Sequence, residues 1–162
     1  MKLDNIKSKI YNPERMNYQL NIWRFQDKKI VFTNGCFDIL HLGHIDYLAK
    51  AANMGDILII GLNSDSSIRA LKAKNRPIND EHSRAIVLAA LSFTDAVISF
   101  DEETPYNLIK NIEPDILVKG SDYKVEEIAG YDIVKSKGGE IKTIDLLPGY
   151  STSLIEEKIL NQ

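Results

Sequence analysis

An α/β fold with a doubly wound parallel sheet of about five strands is predicted by three features of the sequence. First, short β-branched, apolar runs alternate with helix-like segments from residue 29 to the end of the chain. Second, the run at residues 57–62 is apolar almost without interruption, as a parallel strand covered on both faces requires. Third, the turn Asn34-Gly35 leads toward Gly43 and a helix face spaced at Ile45, Leu48, Ala49 and Ala52. Strand and helix alternating through one chain build βαβ units with right-handed crossovers.

The elements follow in order. Asn12-Pro13 starts a helix with Met16, Leu20 and Trp23 on one face, which packs against the domain or a second subunit. Residues 1–27 are therefore expected as an N-terminal helical extension and residues 28–162 as the α/β domain. Residues 29–33 form the first strand and residues 43–53 the first helix of that domain, with Gly55 as its C-terminal cap. Residues 57–62 form the second strand. Residues 64–79 give a short helical piece and a basic loop ending at Arg76-Pro77. Residues 80–91 read as a helix with an apolar stripe at Ile86, Val87, Ala90 and Leu91, and residues 96–100 as a strand. Thr104 caps and Pro105 opens a helix to about residue 112. Strands at 115–119 and 140–144 enclose a helical stretch at 125–137, broken near Gly130. A closing helix spans 153–160.

At 162 residues, 44% apolar and 27% charged, the chain has the size and composition of one globular domain. A net charge of −3 gives no support for a nucleic-acid surface, although Lys72, Lys74 and Arg76 form a local basic cluster. The single cysteine, Cys36, excludes an internal disulfide and a cysteine-rich zinc site. No apolar stretch reaches membrane-spanning length, and the N-terminus is polar rather than signal-like. A soluble, cytoplasmic protein is expected, without nucleic-acid or membrane partners.

The chemistry is concentrated at His41-Leu42-Gly43-His44, at the junction between the first strand and its helix. Backbone N–H groups at a helix start have no helical partner and bind phosphate, and the carboxyl edge of an open α/β sheet is where ligands bind. Imidazole adds a donor whose charge adjusts near neutral pH. The chain has neither a G-x-G-x-x-G after its first strand nor a P-loop, which weighs against a dehydrogenase or a P-loop enzyme. A metal pair is the rival role for the two histidines, with Cys36 or His82 as a third ligand. No acidic or cysteine partner stands near enough in sequence to complete a tetrahedral set. Gly149-Tyr150-Ser151-Thr152-Ser153 precedes the last helix. Ser153 with Glu156 reads as a capping box, which leaves Ser151 and Thr152 unexplained. Lys119 ends an apolar run, and its ammonium emerges either at the ligand edge or simply into solvent. Asn63-Ser64-Asp65 holds the same place after the second strand. Arg84 lies in an otherwise apolar helix, where a surface charge is the plain alternative.

The run from Phe32 to His44, Asn63-Ser64-Asp65, Arg76-Pro77, Leu117 to Tyr123, Glu127-Ile128-Ala129-Gly130 and Ser151-Thr152-Ser153 together resemble the cytidylyltransferase-like nucleotidyltransferases. The resemblance covers about residues 28–160. Within that superfamily, Leu117–Tyr123 and Glu127–Gly130 are most similar to the branch that adenylylates D-glycero-β-D-manno-heptose 1-phosphate to ADP-heptose for lipopolysaccharide. Members of that branch are often fused to a sugar kinase, and this chain resembles the stand-alone form. The resemblance implies a Rossmann-like fold of the HxGH nucleotidyltransferase type over residues 28–162. It implies that His41, His44 and Lys119 act in catalysis. It assigns Thr33, Asn34, Gly35, Phe37, Arg84, Gly120, Asp122, Tyr123, Ser151, Thr152 and Ser153 to ATP. Asp38, Asn63, Asp65 and Lys72 would meet the sugar phosphate. Mg2+ is expected to arrive with ATP, water-ligated and without a protein ligand set, and a homo-oligomer is expected. A glycerol 3-phosphate cytidylyltransferase and a non-catalytic nucleotide-binding module are the alternatives.

Overall fold

In a computed structural model that describes residues 1–72 and 75–161, six parallel strands form one sheet flanked by helices. In chain order the elements are α1 (Lys2–Ser8), β1 (Ile10–Tyr11), α2 (Pro13–Phe25), β2 (Ile30–Gly35), α3 (Leu42–Ala52), β3 (Ile57–Asn63), α4 (Asp65–Leu71), α5 (Glu81–Ala89), β4 (Ala96–Phe100), α6 (Tyr106–Ile112), β5 (Ile116–Gly120), a 3-10 turn (Val125–Glu127), α7 (Tyr131–Ser136), β6 (Glu140–Ile144) and α8 (Thr152–Leu160). Lys74 of the basic cluster lies outside the described residues.

The strand order is β1-β4-β3-β2-β5-β6. The chain moves outward from β2 through β3 to β4, then returns to the other side of β2 for β5 and β6. The order therefore reverses between β2 and β5, and the crevice at their carboxyl ends is where a doubly wound sheet accepts its ligand. Alternation along the strands divides the core into two layers. Phe32, Ile59, Ile98 and Leu117 face one layer with α2, α6 and α7. Val31, Leu58, Ile60, Val97 and Val118 face the other with α3 and α5.

Six strands stand where about five were expected. The sixth, β1, pairs Ile10 and Tyr11 with Val97 and Ile98 of β4, and two residues carry no periodicity from which a strand is read. The N-terminal segment thus joins the sheet edge. Asn12 caps α2 through Arg15 N–H, Pro13 takes the first helical position, and Met16, Leu20 and Trp23 are buried in the core of this domain.

Gly55 does not cap α3; Asn53 does, with ordinary right-handed backbone. A Cβ at Gly55 would lie 2.7 Å from the Lys29 carbonyl oxygen, so the residue is glycine because the chain passes hard against the start of β2. Pro105, one residue later than expected, is the cap position of α6. Gly130, in the left-handed region at φ 88°, separates the 3-10 turn from α7, as its place in the sequence suggested. No helix among the described residues is long and apolar enough to cross a membrane.

Candidate active site

Two adjoining cavities open at the carboxyl edge between β2 and β5, of about 310 Å³ and 480 Å³. Asn34, Gly35, Cys36, Phe37, His44, Lys119, Tyr123 and Thr152 line both. The first cavity runs on to His41, Gly43, Gly120, Asp122 and Ser151. The second runs on to Asp38, Asn63 and Lys72.

The β2–α3 loop builds the floor. Phe37, though not glycine, has φ 46°, and this left-handed turn presents its ring edge-on to His44 with centroids 5.3 Å apart. His41 occupies the N-cap position of α3 with extended backbone, but its side chain makes no capping bond. His44 follows three residues later on the same helix face, so the two imidazoles stack, 3.8 Å between centroids and 23° between planes. Gly43 makes this possible, because a Cβ there would sit 3.1 Å from the His41 ring and from Tyr150 Cβ.

Burial lowers the pKa of His41. His44 is lowered to about 4 by burial first, then by repulsion from His41 and Lys72. Both rings are therefore neutral near pH 7, each with one N–H to donate. Their Nδ1 atoms, with Asn34 Oδ1, are buried and have no hydrogen-bond partner among the described residues. Buried polar atoms are rarely left orphaned, and these three belong to residues that line one cavity.

Across the cleft, β5 delivers Lys119. Burial brings its pKa down to about 8, opposed by the nearby Asp122 and Cys36, and its ammonium lies 5.2 Å from the Tyr123 ring centroid. Cys36 is pushed up by burial foremost, so its thiol stays protonated and is no ready nucleophile. At the third side stands the start of α8. Ser151 is its N-cap and accepts Leu154 N–H at 3.1 Å. His44 N–H is already taken by the His41 carbonyl at 2.9 Å. Among the described residues the N–H groups of Leu42 and Gly43 on α3 and of Thr152 and Ser153 on α8 have no partner, so two helix starts and one ammonium point positive charge into the same space.

Several expected ligand residues take other places. Thr33 is fully buried beneath the floor, its hydroxyl 2.8 Å from that of Tyr47, and lines neither cavity. Arg84 lines neither cavity. It is 2% exposed, donating from Nε to Asn79 O, from Nη1 to Cys36 O and Asn63 O, and from Nη2 to Asp65. Asp65 is accordingly an ion-pair partner outside both cavities. Asp38 lines the second cavity, but it is 5% exposed and its carboxylate already accepts from Ile78 N, Asn79 N and Arg76 Nη1. Burial works to raise its pKa, but those hydrogen bonds outweigh it and hold the group below the usual carboxylate range. Ser153 is exposed, lines neither cavity and is not the cap, because Ser151 is. The zinc alternative finds no group of three His, Cys, Asp or Glu among the described residues.

Sequence reasoning missed Tyr47, Leu146 and Leu147 in the first cavity, and Glu103, Thr104 and Pro105 in the second. Leu146 and Leu147 follow β6, and Glu103 to Pro105 follow β4. Their position just past the carboxyl end of a strand was the available signal.

Comparison with known proteins bears on this geometry. A family profile described as Cytidylyltransferase-like matches residues 32–158. The chain is 58% identical over 137 residues to the bifunctional protein HldE of Wolinella succinogenes, covering 85% of this chain and 28% of that protein. It is 52% identical over 155 residues to the bifunctional protein HldE of Syntrophotalea carbinolica, covering 96% and 32%. It thus spans about a third of the length of these relatives. Among solved structures, the lipopolysaccharide core biosynthesis protein from Thermoplasma volcanium is similar at TM-score 0.60 and 31% identity, covering 74% of this chain and 97% of that one. Pantoate-beta-alanine ligase from Francisella tularensis, complexed with beta-gamma ATP and beta-alanine, is similar at TM-score 0.62, covering 94% and 79%. At 17% identity this second likeness is one of fold alone.

Proposed function

As the chain belongs to the cytidylyltransferase-like family, we propose that it transfers AMP from ATP to D-glycero-β-D-manno-heptose 1-phosphate, giving ADP-heptose and pyrophosphate. The observation that carries the reading is that the His41 and His44 imidazoles, whose Nδ1 atoms have no protein partner among the described residues, line one cavity with Lys119 and the start of α8. That is a donor-rich cleft built for a polyanion. The acceptor is supported by the heptose-branch resemblance of Leu117–Tyr123 and Glu127–Gly130, and by the likeness to HldE and the lipopolysaccharide core biosynthesis protein.

An oxygen of the sugar phosphate attacks the α-phosphorus of ATP. One P–O bond forms, the bond to the bridging oxygen of the β-phosphate breaks, and pyrophosphate leaves. The attacking oxygen is already anionic, so no general base is needed. Catalysis reduces to holding two anions in line and stabilising charge as it moves to the leaving group. In this reading the neutral His41 and His44 donate to the triphosphate. Lys119 compensates charge at the α-phosphate, and Ser151, Thr152 and the free N–H groups of α8 receive the β- and γ-phosphates. Gly120, Asp122 and Tyr123 line the nucleotide side; Asn63 and Lys72 line the acceptor side. Mg2+, if bound with ATP, would supply charge neutralisation on the phosphates. The cleft's imidazole, ammonium, hydroxyl and backbone donors suit an ion carried by ATP rather than held in a carboxylate cage. We place the enzyme in the cytoplasm, with ATP, and as a homo-oligomer.

A pyrophosphate-release assay of the four nucleoside triphosphates against heptose 1-phosphate and glycerol 3-phosphate tests the proposal. ATP with heptose 1-phosphate should give the highest kcat/KM. Preference for CTP with glycerol 3-phosphate would move the chain to another branch, and nucleotide binding with no pyrophosphate from any pair would make it a binding module.

A further inference from the structure

We infer that Glu156, acting through Arg76, is the positioning residue that holds the phosphate-binding end of α8 over the cleft; the inference rests on the nucleotidyl-transfer reading above. Helix α8 brings its capped start and Thr152 to the site, yet none of its residues is buried. Ile159 and Leu160 at its far end are 64% and 84% exposed. Among the described residues its only ion pair is Glu156 with Arg76, and no other side-chain hydrogen bond joins it to another element. A helix so lightly attached takes its position from the few ties it has.

Arg76 is suited to be that tie. It lines neither cavity, so it does not act by touching a ligand. Its side chain is 15% exposed, with Nη1 on Asp38 at 2.9 Å and Nη2 on Glu156. Asp38 is itself pinned by Ile78 N and Asn79 N, and the Asn79 carbonyl accepts from Arg84. One edge of the guanidinium is therefore seated in a rigid socket while the other reaches the helix. A planar fork can serve two carboxylates at once; a lysine ammonium is a single point charge. Glu156 is the fifth residue of α8, just below the turn that faces the cleft. Fixing it aims the free N–H groups of that turn. The guanidinium also neutralises two carboxylates that would otherwise repel a triphosphate.

Because α8 meets the β- and γ-phosphates both in bound ATP and as charge moves onto the leaving pyrophosphate, losing its position weakens ATP binding and raises KM, with a loss of kcat alongside. The test uses the full chain with Glu156→Gln, and with Arg76→Lys, which keeps a charge beside Asp38 but cannot span both partners. Hydrogen exchange is read without ligand, ATP binding by calorimetry without acceptor, and turnover with both substrates. The expected result is faster exchange confined to α8 amides, ATP affinity and KM for ATP weakened about tenfold, and a loss of kcat of no more than about tenfold beside it. Unchanged α8 exchange and ATP affinity would overturn the inference. So would a collapse of kcat at constant KM, or exchange rising throughout the sheet, since Glu156 would then serve the chemistry or the fold at large. A parent chain that binds no ATP would instead remove the nucleotidyl-transfer reading, while the ligand-free exchange would still report the tether.

Discussion

Replacing Arg84 with methionine separates a phosphate ligand from a buried brace. The guanidinium is 2% exposed and donates four hydrogen bonds of 2.7–3.0 Å. Methionine fills similar volume with no donor. The carbonyls of Cys36 and Asn63 then lose a bond at about 1–3 kcal/mol each, while that of Asn79, an exposed residue, rehydrates. The Asp65 side chain is 29% exposed and rehydrates, so it adds little. Better apolar burial of methionine returns about 1–2 kcal/mol. The net loss is about 3 kcal/mol, which for a domain of this size lowers Tm by about 6–12 °C. Thermal unfolding followed by circular dichroism measures it directly. ATP calorimetry well below the transition shows whether the site survives once the Cys36 carbonyl is released. A variant that melts with the parent protein but binds ATP much more weakly would refute the brace and restore Arg84 to the phosphates.

His44→Ala should lower turnover by about 10²–10³ while circular dichroism shows the fold retained, because a donor preorganised for the transition state is lost. The folded pKa of Lys119, about 8, lies below its ordinary 10.5, so between those values the unfolded chain holds more protons. Its contribution to stability therefore rises with pH across that window while ATP affinity falls as the cation is lost. Lys119→Met should flatten both trends in urea unfolding and calorimetry. Ser151→Ala should cost about 1 kcal/mol of α8 capping and weaken ATP binding, whereas Ser153→Ala should change neither, as calorimetry on the two variants will show. Deleting residues 1–27 should abolish a cooperative melt. Met16, Leu20 and Trp23 are buried at about 1.5–3 kcal/mol each, a large part of a typical domain's total stability; a truncated chain that still unfolds cooperatively would show them dispensable.

What was readable in the sequence followed local physics. Ala96–Phe100 and Glu140–Ile144 appear where their apolar patterns put them, and Asn12-Pro13 opens α2 as its capping chemistry requires. The strand-to-helix placement of His41 and His44 was equally local. What escaped depended on partners remote in sequence. β1 exists because β4 offers an edge. Gly55 is explained by the Lys29 carbonyl and not by its own helix. In Ser151-Thr152-Ser153 every residue type can cap, and only the position of the first helical turn selects Ser151. Arg84 and Asp38 carry charges that suit substrate equally well. Their satisfaction by Asn63, Asn79 and Arg76 is a fact of tertiary folding that no spacing announces.

The two outer strands of the sheet bear on how copies of the chain meet in a crowded solution. Any exposed strand edge offers unpaired N–H and C=O groups as a template for strand addition, and the two edges here are blunted differently. β1 has only two residues, too few to seed a ladder. β6 is longer, but Glu140, Lys142 and Thr143 stand exposed along it, and Glu140 is held between Lys29 and Lys142. An incoming strand would have to desolvate that charge cluster or match it residue for residue. The sheet can therefore keep a fully buried β3, apolar except for Asn63, at its heart without presenting comparable sticky segments at its margins, and association between copies is left to side chains rather than to backbone zippering.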